Sequence, residues 1–188
     1  MAAVDSLALR FLTTGGQTPI RSSFEQLHHP EDLEAWLSGS LDAEHPVHTV
    51  DGDFDAAVAL REAIFTIIRD RTIDRTPSSD AVAVLNAAAE RDPLVPRLDP
   101  LTMASRWQEP IRPVAALSTI ARDAIDALSG EHGRRVRECA NPNCELVFVD
   151  SSPPGARRWC AMRRCGNRSK TRAYRARRAQ TSTEGKAT

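Results

Sequence analysis

The chain has few aromatic residues, no long apolar run and no cysteine before residue 139, and each shortage narrows the classes of protein to which it can belong. Aromatic residues make up 5% of its 188 residues, so a core must be built mainly from Ala, Val, Leu and Ile. A hydrophobic content of 41% excludes disorder throughout. No apolar stretch reaches the length of a membrane span, and Asp5 and Arg10 interrupt what would be a signal sequence. We therefore expect a cytoplasmic protein with no membrane partner.

The net charge is zero only as an average over two unlike halves. Residues 1–130 contain 11 Lys and Arg against 20 Asp and Glu, whereas residues 131–188 contain 14 against 5. The sign changes in a segment with two glycines, Gly130 to Arg135. We therefore predict an N-terminal domain over 1–130, a linker over 131–136, a small module over 137–180 and a disordered tail over 181–188.

Most of the acidic half has helical patterns. Apolar spacing predicts helices that begin at Pro30, near Asp53, after Pro77 with Ser78 or Ser79 as the cap, and at Pro113. The short apolar segment 7–14 is compatible with a strand or a helical turn. Prolines break up 93–110, where two short strands joined near Asp99 and Pro100 are favoured.

All four cysteines lie within the basic half, in two pairs of Cys-x4-Cys spacing: Cys139, Cys144, Cys160 and Cys165. In a reducing cytoplasm such a cluster favours a metal site over disulfides, and four sulfur donors suit zinc. Turn-forming residues lie between Cys139 and Cys144, and the β-branched run Leu146 to Asp150 follows them. Together these two features predict a knuckle on a β-hairpin. The second pair precedes a helix over 168–179. A knuckle followed by a helix start is a treble-clef-like arrangement.

Zinc is expected to be structural. The main bulky apolar side chains of the segment 137–180 are Val147, Phe148, Trp159 and Tyr174, which cannot offset the chain entropy by burial alone. A structural zinc ion contributes about 10 to 16 kcal/mol. Four protein sulfurs fill the coordination sphere and leave no position for a catalytic water. The fold class predicted is α+β and mainly helical, with a short hairpin in the N-terminal domain, followed by one zinc module with a basic C-terminal helix.

Arginines surround the predicted site, and Arg168, Arg172 and Arg175 fall on one face of the final helix. Four thiolates with one zinc ion would leave the module at roughly +7, a strong attraction for a polyanion. Few aromatics are available for base stacking, which favours duplex DNA over single-stranded RNA. The predicted nucleic-acid-binding residues are Arg157, Arg158, Arg163, Arg164, Arg168, Lys170, Arg172, Arg175, Arg177 and Arg178.

The segment RWCAMRRCGNR, together with CANPNC and the residues Phe148, Asp150 and Ser152, resembles the CGNR zinc finger over Arg137 to Arg178. The resemblance implies that the four cysteines bind zinc and that Gly166, Asn167 and Arg168 form the signature turn into the helix. In the acidic half, LALRFLTT, DLEAWL and LREAIF stand in the order expected of the ABATE domain that usually precedes this finger. This resemblance implies a stress-responsive transcription regulator.

The leading hypothesis is a DNA-binding regulator that acts at the nucleoid. Its helical domain would sense an unknown small-molecule ligand or mediate assembly, and regulator geometry is compatible with a homodimer. No G-x-S-x-G, Walker or dinucleotide motif is present, so we do not expect an enzyme. Two alternatives stay open. One is a zinc-stabilised module that binds RNA or an acidic protein, and the other is a thiol switch in which oxidation ejects zinc.

Overall fold

The computed structural model describes residues 6–184 and, within them, leaves out the side chains at 131, 132, 173, 176, 177 and 179–184. The fold is mainly helical with two small antiparallel hairpins, as the sequence predicts. The helices are α1 (Leu7–Leu12), α2 (Pro30–Ser40), α3 (Asp53–Thr72), α4 (Ser79–Ala89), α5 (Pro113–Leu128), α6 (Gly130–Gly133) and α7 (Asn167–Glu184). The strands are β1 (Pro96–Leu98), β2 (Ser105–Trp107), β3 (Val136–Glu138) and β4 (Val147–Val149).

The helices of the acidic half enclose one hydrophobic core. Helix α3 packs against α4 and α5, and α1 packs against both α5 and α3. Ser6 caps α1 and also donates its hydroxyl hydrogen to Asp123 Oδ2 at 2.6 Å. The same carboxylate oxygen accepts from the backbone N–H of Ala8 at 2.8 Å, so Asp123 ties the first turn of α1 to α5. The segment that was ambiguous in the sequence is therefore helical.

The first hairpin lies between α4 and α5. Strand β1 pairs antiparallel with β2, with Pro96 opposite Trp107 and Leu98 opposite Ser105. The turn that joins them begins at Asp99, whose Oδ1 accepts from the N–H groups of Leu101 and Thr102. The prediction of two short strands around Asp99 is confirmed.

The second hairpin begins the cysteine-containing module and rests on the helical domain. Strands β3 and β4 pair antiparallel, with Val136 opposite Val149. Val136 is 6% exposed and belongs to the main core, against which Val147 and Val149 also pack. The backbone N–H of Glu138 points to Thr72 Oγ1, 3.4 Å away at the end of α3. The module therefore shares apolar contacts with the domain before it.

The predicted linker is not an irregular segment that separates two domains. Segment 131–136 contains the remainder of α6 and the first residue of β3. At the other end, α7 continues to Glu184, four residues into the predicted tail, and 185–188 lie outside the described residues. Among the helices of residues 6–184, none has the length and hydropathy required to cross a bilayer.

Candidate metal centre and basic surface

The first cysteine pair lies on the turn between β3 and β4. The N–H of Cys139 donates to Leu146 O at 2.9 Å, which extends the hairpin to the first ligand. The N–H of Cys144 donates to Asn141 O at 3.0 Å, which closes the tight turn predicted for the residues between the pair. This turn brings both sulfurs of the pair to one side, as a zinc knuckle requires.

The second pair lies in an extended segment and in a turn that leads into α7. Cys165 belongs to a π-helical turn, Met162–Gly166, in which Ala161 O accepts from the N–H groups of both Cys165 and Gly166. A Cβ atom at Gly166 would lie 2.7 Å from Met162 Sδ and 3.3 Å from Trp159 Cδ1. Since Gly166 has no side chain, the turn can close beside Trp159. Cys165 thus lies in this wide turn, two residues before α7 begins at Asn167, where the sequence predicts the start of a helix.

The four sulfurs converge on one point. They all lie within 4.8 Å of one another, and Cys160 Sγ is 3.6 Å from both Cys144 Sγ and Cys165 Sγ. Zn–S bonds of about 2.3 Å in a tetrahedron place sulfurs roughly 3.8 Å apart, so the arrangement fits one zinc ion. Cys139, Cys144 and Cys165 are buried, and Phe148 and Trp159 pack against the cluster.

Burial favours the neutral thiol form of two of the four cysteines, so a cation would be needed to hold all four as thiolates. Burial raises the pKa of the Cys144 thiol to about 11 and raises the pKa of Cys160 further. Burial also opposes ionisation of Cys165, but hydrogen bonds, that from Asn141 foremost, lower its pKa to about 7. A bound Zn²⁺ would hold all four sulfurs as thiolates, with proton release on binding.

Donors around the cluster would neutralise part of the −2 charge of a zinc tetrathiolate. The N–H of Cys160 points to Cys139 Sγ at 3.4 Å, and the Asn141 side chain bonds to Cys165. A bond to the Cys165 sulfur raises the pKa of Arg164, which stays cationic beside the site. Asn141 was not among the predicted site residues. Its position inside the first Cys-x4-Cys pair is a signal for such a role, since outer-shell donors orient metal ligands.

Asp150 organises the loop between β4 and the second cysteine pair, and the sequence analysis gave it no role beyond the motif. It is fully buried, and Oδ1 accepts from the N–H and hydroxyl of Ser152 at 3.0 and 2.5 Å. Oδ2 accepts from the N–H of Arg157 at 2.8 Å. These bonds, first the one from the Ser152 hydroxyl, hold the pKa of Asp150 below its usual value.

Arg157, a predicted nucleic-acid contact, uses its guanidinium for contacts within the finger. Its Nε donates to Trp159 O at 2.8 Å, its Nη2 donates to Cys160 O, and its guanidinium lies 4.9 Å from the centre of the Phe148 ring. Phe148 and Trp159 both contact the cysteine cluster. Arg157 therefore braces the second cysteine pair.

The other predicted contacts that the structure describes are exposed. Arg158 lies 5.2 Å over the Trp159 ring, and Arg178 lies 5.9 Å over the ring of Tyr174. The side chain of Arg177 lies outside the described residues. The exposed side chains among these predicted contacts are Arg158, Arg163, Arg164, Arg168, Lys170, Arg172, Arg175 and Arg178.

The start of the basic helix faces the N-terminal domain. Arg164 and Arg168 line a cleft of about 370 Å³ together with Ile20, Ser23 and Phe24, which belong to or adjoin a 3₁₀ turn of the acidic half. The later arginines of α7, Arg172 and Arg175, are absent from this cleft. The cleft thus divides the predicted stripe into a part beside the helical domain and a part beyond it.

Two family models match the chain and together cover nearly all of it. The ABATE model, described as "Putative stress-induced transcription regulator", matches residues 5–131. The CGNR zinc finger model matches residues 135–178 and includes all four clustered cysteines. No curated protein matches the chain. The family models and the sulfur geometry together confirm the prediction of one zinc site.

Proposed function

Because the chain belongs to the ABATE family and carries a CGNR zinc finger, we propose that it is a zinc-dependent DNA-binding regulator. The N-terminal domain would receive a signal or mediate assembly, and the finger would contact duplex DNA at the nucleoid. Four sulfur ligands would fill the coordination sphere of a zinc ion, so the ion would serve as a scaffold, and the proposed role of the protein is binding.

One observation carries the proposal: an exposed cationic face on a helix that is anchored by the fourth zinc ligand. Arg168, Arg172 and Arg175 are all exposed on α7, at positions that fall on one side of the helix. Arginine pairs bidentately with phosphate and with the O6 and N7 atoms of guanine. A helix of this length fits the major groove, and a rigid anchor at its start would fix its orientation.

Duplex DNA is favoured over single-stranded RNA. Tyr174 is the aromatic residue of the α7 sequence, and its ring lies 5.9 Å from the Arg178 guanidinium. Recognition of single strands depends on several aromatic platforms on which bases stack. The α7 surface offers charge in place of stacking area.

Mobility shifts of a random-sequence duplex test the proposal with the zinc-loaded full chain. Wild-type protein is expected to bind at 50 mM salt and to lose affinity steeply towards 200 mM, since each neutralised phosphate releases counterions. A triple variant, Arg168→Gln, Arg172→Gln and Arg175→Gln, is expected to reduce the slope of log affinity against log salt by about 2.7, or about 0.9 for each lost contact.

The matched control removes the same charge from exposed arginines of the other half, through Arg91→Gln, Arg97→Gln and Arg112→Gln. This variant should keep the wild-type slope. Absence of any shift at 50 mM salt, or equal losses in the two triple variants, would contradict DNA binding through α7. If unlabelled single-stranded RNA competes for the protein better than unlabelled duplex DNA does, the result would support the RNA-binding alternative.

A further inference from the structure

A second basic surface lies where α3 ends against the entrance to the finger. It is a half-open groove of about 590 Å³, hereafter the junction groove. Arg71 lies in the last turn of α3, and Arg75 follows that helix. Arg134 and Arg137 come from the segment that enters the finger. With Asp74 as the one acidic residue among the described lining residues, these side chains give that part of the lining a net charge of +3.

The guanidinium groups of the junction groove retain unused donors. Arg71 Nη1 donates to Leu128 O at 2.6 Å, and the Arg71 guanidinium has no further hydrogen-bond partner among the described residues. Arg134 is exposed and has no hydrogen-bond or ion-pair partner within the described part of the chain. Arg75 is 69% exposed and lies 3.7 Å from Asp70, a distance that leaves its other nitrogens available.

Arg137 and Gly133 complete the groove. Arg137 Nη2 donates to Gly155 O at 3.0 Å and Nε lies 4.0 Å from Asp150, while the side chain stays 44% exposed. A Cβ atom at Gly133 would lie 2.0 Å from Leu128 O and 3.0 Å from Arg71 Nη1. The glycine therefore permits the close approach that holds Arg71 at the groove.

The size and charge of the groove select a class of ligand. Its volume falls within the roughly 300 to 1,000 Å³ of small-molecule sites, but guanidinium groups replace the apolar walls such sites usually have. A single carboxylate would leave most of the four cations without a counter-ion. Linked phosphates supply several charges and many acceptor oxygens within a few ångströms, the geometry that arginine forks bind best.

We propose that the junction groove binds an oligophosphate, a small molecule that carries at least two linked phosphate groups. Arg71 and Arg75 would hold it from the helical domain, and Arg134 and Arg137 from the finger. This site is distinct from the exposed face of α7 and does not depend on DNA binding. Because its four arginines come from both halves of the chain, a bound oligophosphate would add contacts across the boundary between them.

Calorimetric titration of the zinc-loaded full chain with inorganic pyrophosphate at 50 mM salt tests the proposal. We expect one binding site, with orthophosphate binding at least about tenfold more weakly because it lacks the second phosphate group. The double variant Arg75→Gln and Arg134→Gln, which alters two exposed side chains, should weaken pyrophosphate binding by at least about tenfold.

The matched control is Arg91→Gln with Arg112→Gln, an equal loss of exposed charge elsewhere. Arg112 precedes α5 at the end opposite Leu128, about 24 Å away along that helix. This control should bind pyrophosphate as the wild type does. The proposal is overturned if wild-type protein binds no pyrophosphate at millimolar concentration, or if both double variants weaken binding equally.

The variants also separate this site from the DNA-binding surface. Loss of pyrophosphate binding in the Arg168, Arg172 and Arg175 triple variant would place the ligand on α7 and would contradict the proposal that it binds in the junction groove. If pyrophosphate does not bind and the Arg75 and Arg134 variant loses duplex affinity, the groove contacts the DNA backbone instead. Retained pyrophosphate binding without any duplex binding would support the groove while contradicting the proposed function.

Discussion

At the scale of single residues, two arginines of the N-terminal domain are almost completely removed from water. Arg21 and Arg61 each expose 1% of their surface. Arg61 makes a bidentate contact with Glu25, with both N–O distances 2.7 Å. Arg21 donates to Glu62 at 3.0 Å and lies 3.9 Å from the centre of the Phe65 ring. These ion pairs fix the loop between α1 and α2 against α3.

The two members of the Arg61 and Glu25 pair are not equivalent. Arg61 is enclosed, whereas the Glu25 side chain is 17% exposed and also accepts from the N–H groups of Gln26 and Leu27 at 3.1 and 2.9 Å. Burial opposes the charge on Glu25, but the bonds from Arg61 lower its pKa overall. A charge left behind on Arg61 therefore costs more than one left behind on Glu25.

We predict that Glu25→Gln lowers the free energy of unfolding by about 3 kcal/mol, because it leaves Arg61 buried without its main counter-ion. Arg61→Met should cost less, since Glu25 keeps water and two backbone donors. Urea unfolding of the zinc-loaded protein, followed by circular dichroism, measures both. Glu90→Gln, at an exposed position, should stay within about 0.5 kcal/mol of wild type. A larger loss for Arg61→Met than for Glu25→Gln would refute this asymmetry.

Sequence reasoning at this scale succeeds where residue type alone determines the chemistry. Four cysteines in two equal spacings identify the metal ligands, because sulfur has few other uses in such a pattern. Arg61 looks like a polar position of an amphipathic helix, and its burial depends on a loop 36 residues away. Arg157 looks like the neighbouring Arg158, and only the path of the loop around Asp150 directs its guanidinium inward.

At the scale of elements, the hairpin and the turn that carry the cysteines of the finger are too short to be stable alone. Strands β3 and β4 have three residues each, and the turn before α7 has five. An isolated two-stranded hairpin is marginal at best in water. One zinc ion would join the hairpin to that turn through two ligands on each side, so the ion acts as a covalent-like crosslink between the elements.

We predict that zinc removal unfolds these elements while the helical bundle remains. After chelation, amide exchange at Cys139, Ala140 and Cys165, whose N–H groups bond to Leu146 O, Arg158 O and Ala161 O, should approach the rate of an unfolded chain. Amides of α3 and α5 should keep their protection. Hydrogen exchange with mass spectrometry gives both readouts, and added zinc should restore the pattern. Equal protection with and without zinc would contradict a structural ion.

The longer elements were predictable from local signals. Pro113 begins α5, as the sequence indicates, and Ser78 is the one of the two predicted serines that caps α4, because a fixed φ angle and a capping hydroxyl act within one turn. Helix α1 is only six residues long, too short to show a helical period, and its state depends on contacts with Asp123. The π-helical turn Met162–Gly166 was not predicted, because its short sequence has no period that distinguishes it from the start of α7.

At the scale of the whole molecule, the two halves meet along a shared seam. Val136 enters the core of the helical domain, and Thr18 donates its hydroxyl hydrogen to Glu145, the residue after Cys144. Arg69 of α3 lies 4.0 Å from the same carboxylate. The zinc knuckle would therefore be fixed on one side by its bonds to the metal ion, and it is contacted on the other side by the helical domain.

We predict that Val136→Ala destabilises the helical domain by about 2 kcal/mol, because it opens a cavity in the main core. Zinc affinity, measured by competition with a chromogenic chelator, should remain near wild type. Phe148→Ala, on the face that packs against the cysteines, should have the opposite pattern of weaker zinc binding with smaller change in helix unfolding. Reduced zinc affinity in Val136→Ala, with unchanged helix unfolding, would show that Val136 stabilises the finger and not the core of the helical domain.

The division of the chain into two modules could be predicted from charge, but their packing could not. The change of sign near Gly130 indicates where composition alters, and the matched family models change between residues 131 and 135. Contacts such as Thr18 with Glu145 join residues 127 positions apart, and no local pattern specifies such a partner. The seam follows from the three-dimensional packing of β3 on α3.

Because Val136 of the finger is part of the core of the helical domain, the finger is poorly suited to transfer as an independent unit. A chimera that moved residues 135–178 onto an unrelated protein would expose Val136, Val147 and Val149 to solvent, and such an apolar strip invites aggregation. A successful graft would have to bring along a complementary surface like the end of α3. Transfer of this finger to another protein is thus constrained by the valine face as well as by the cysteines.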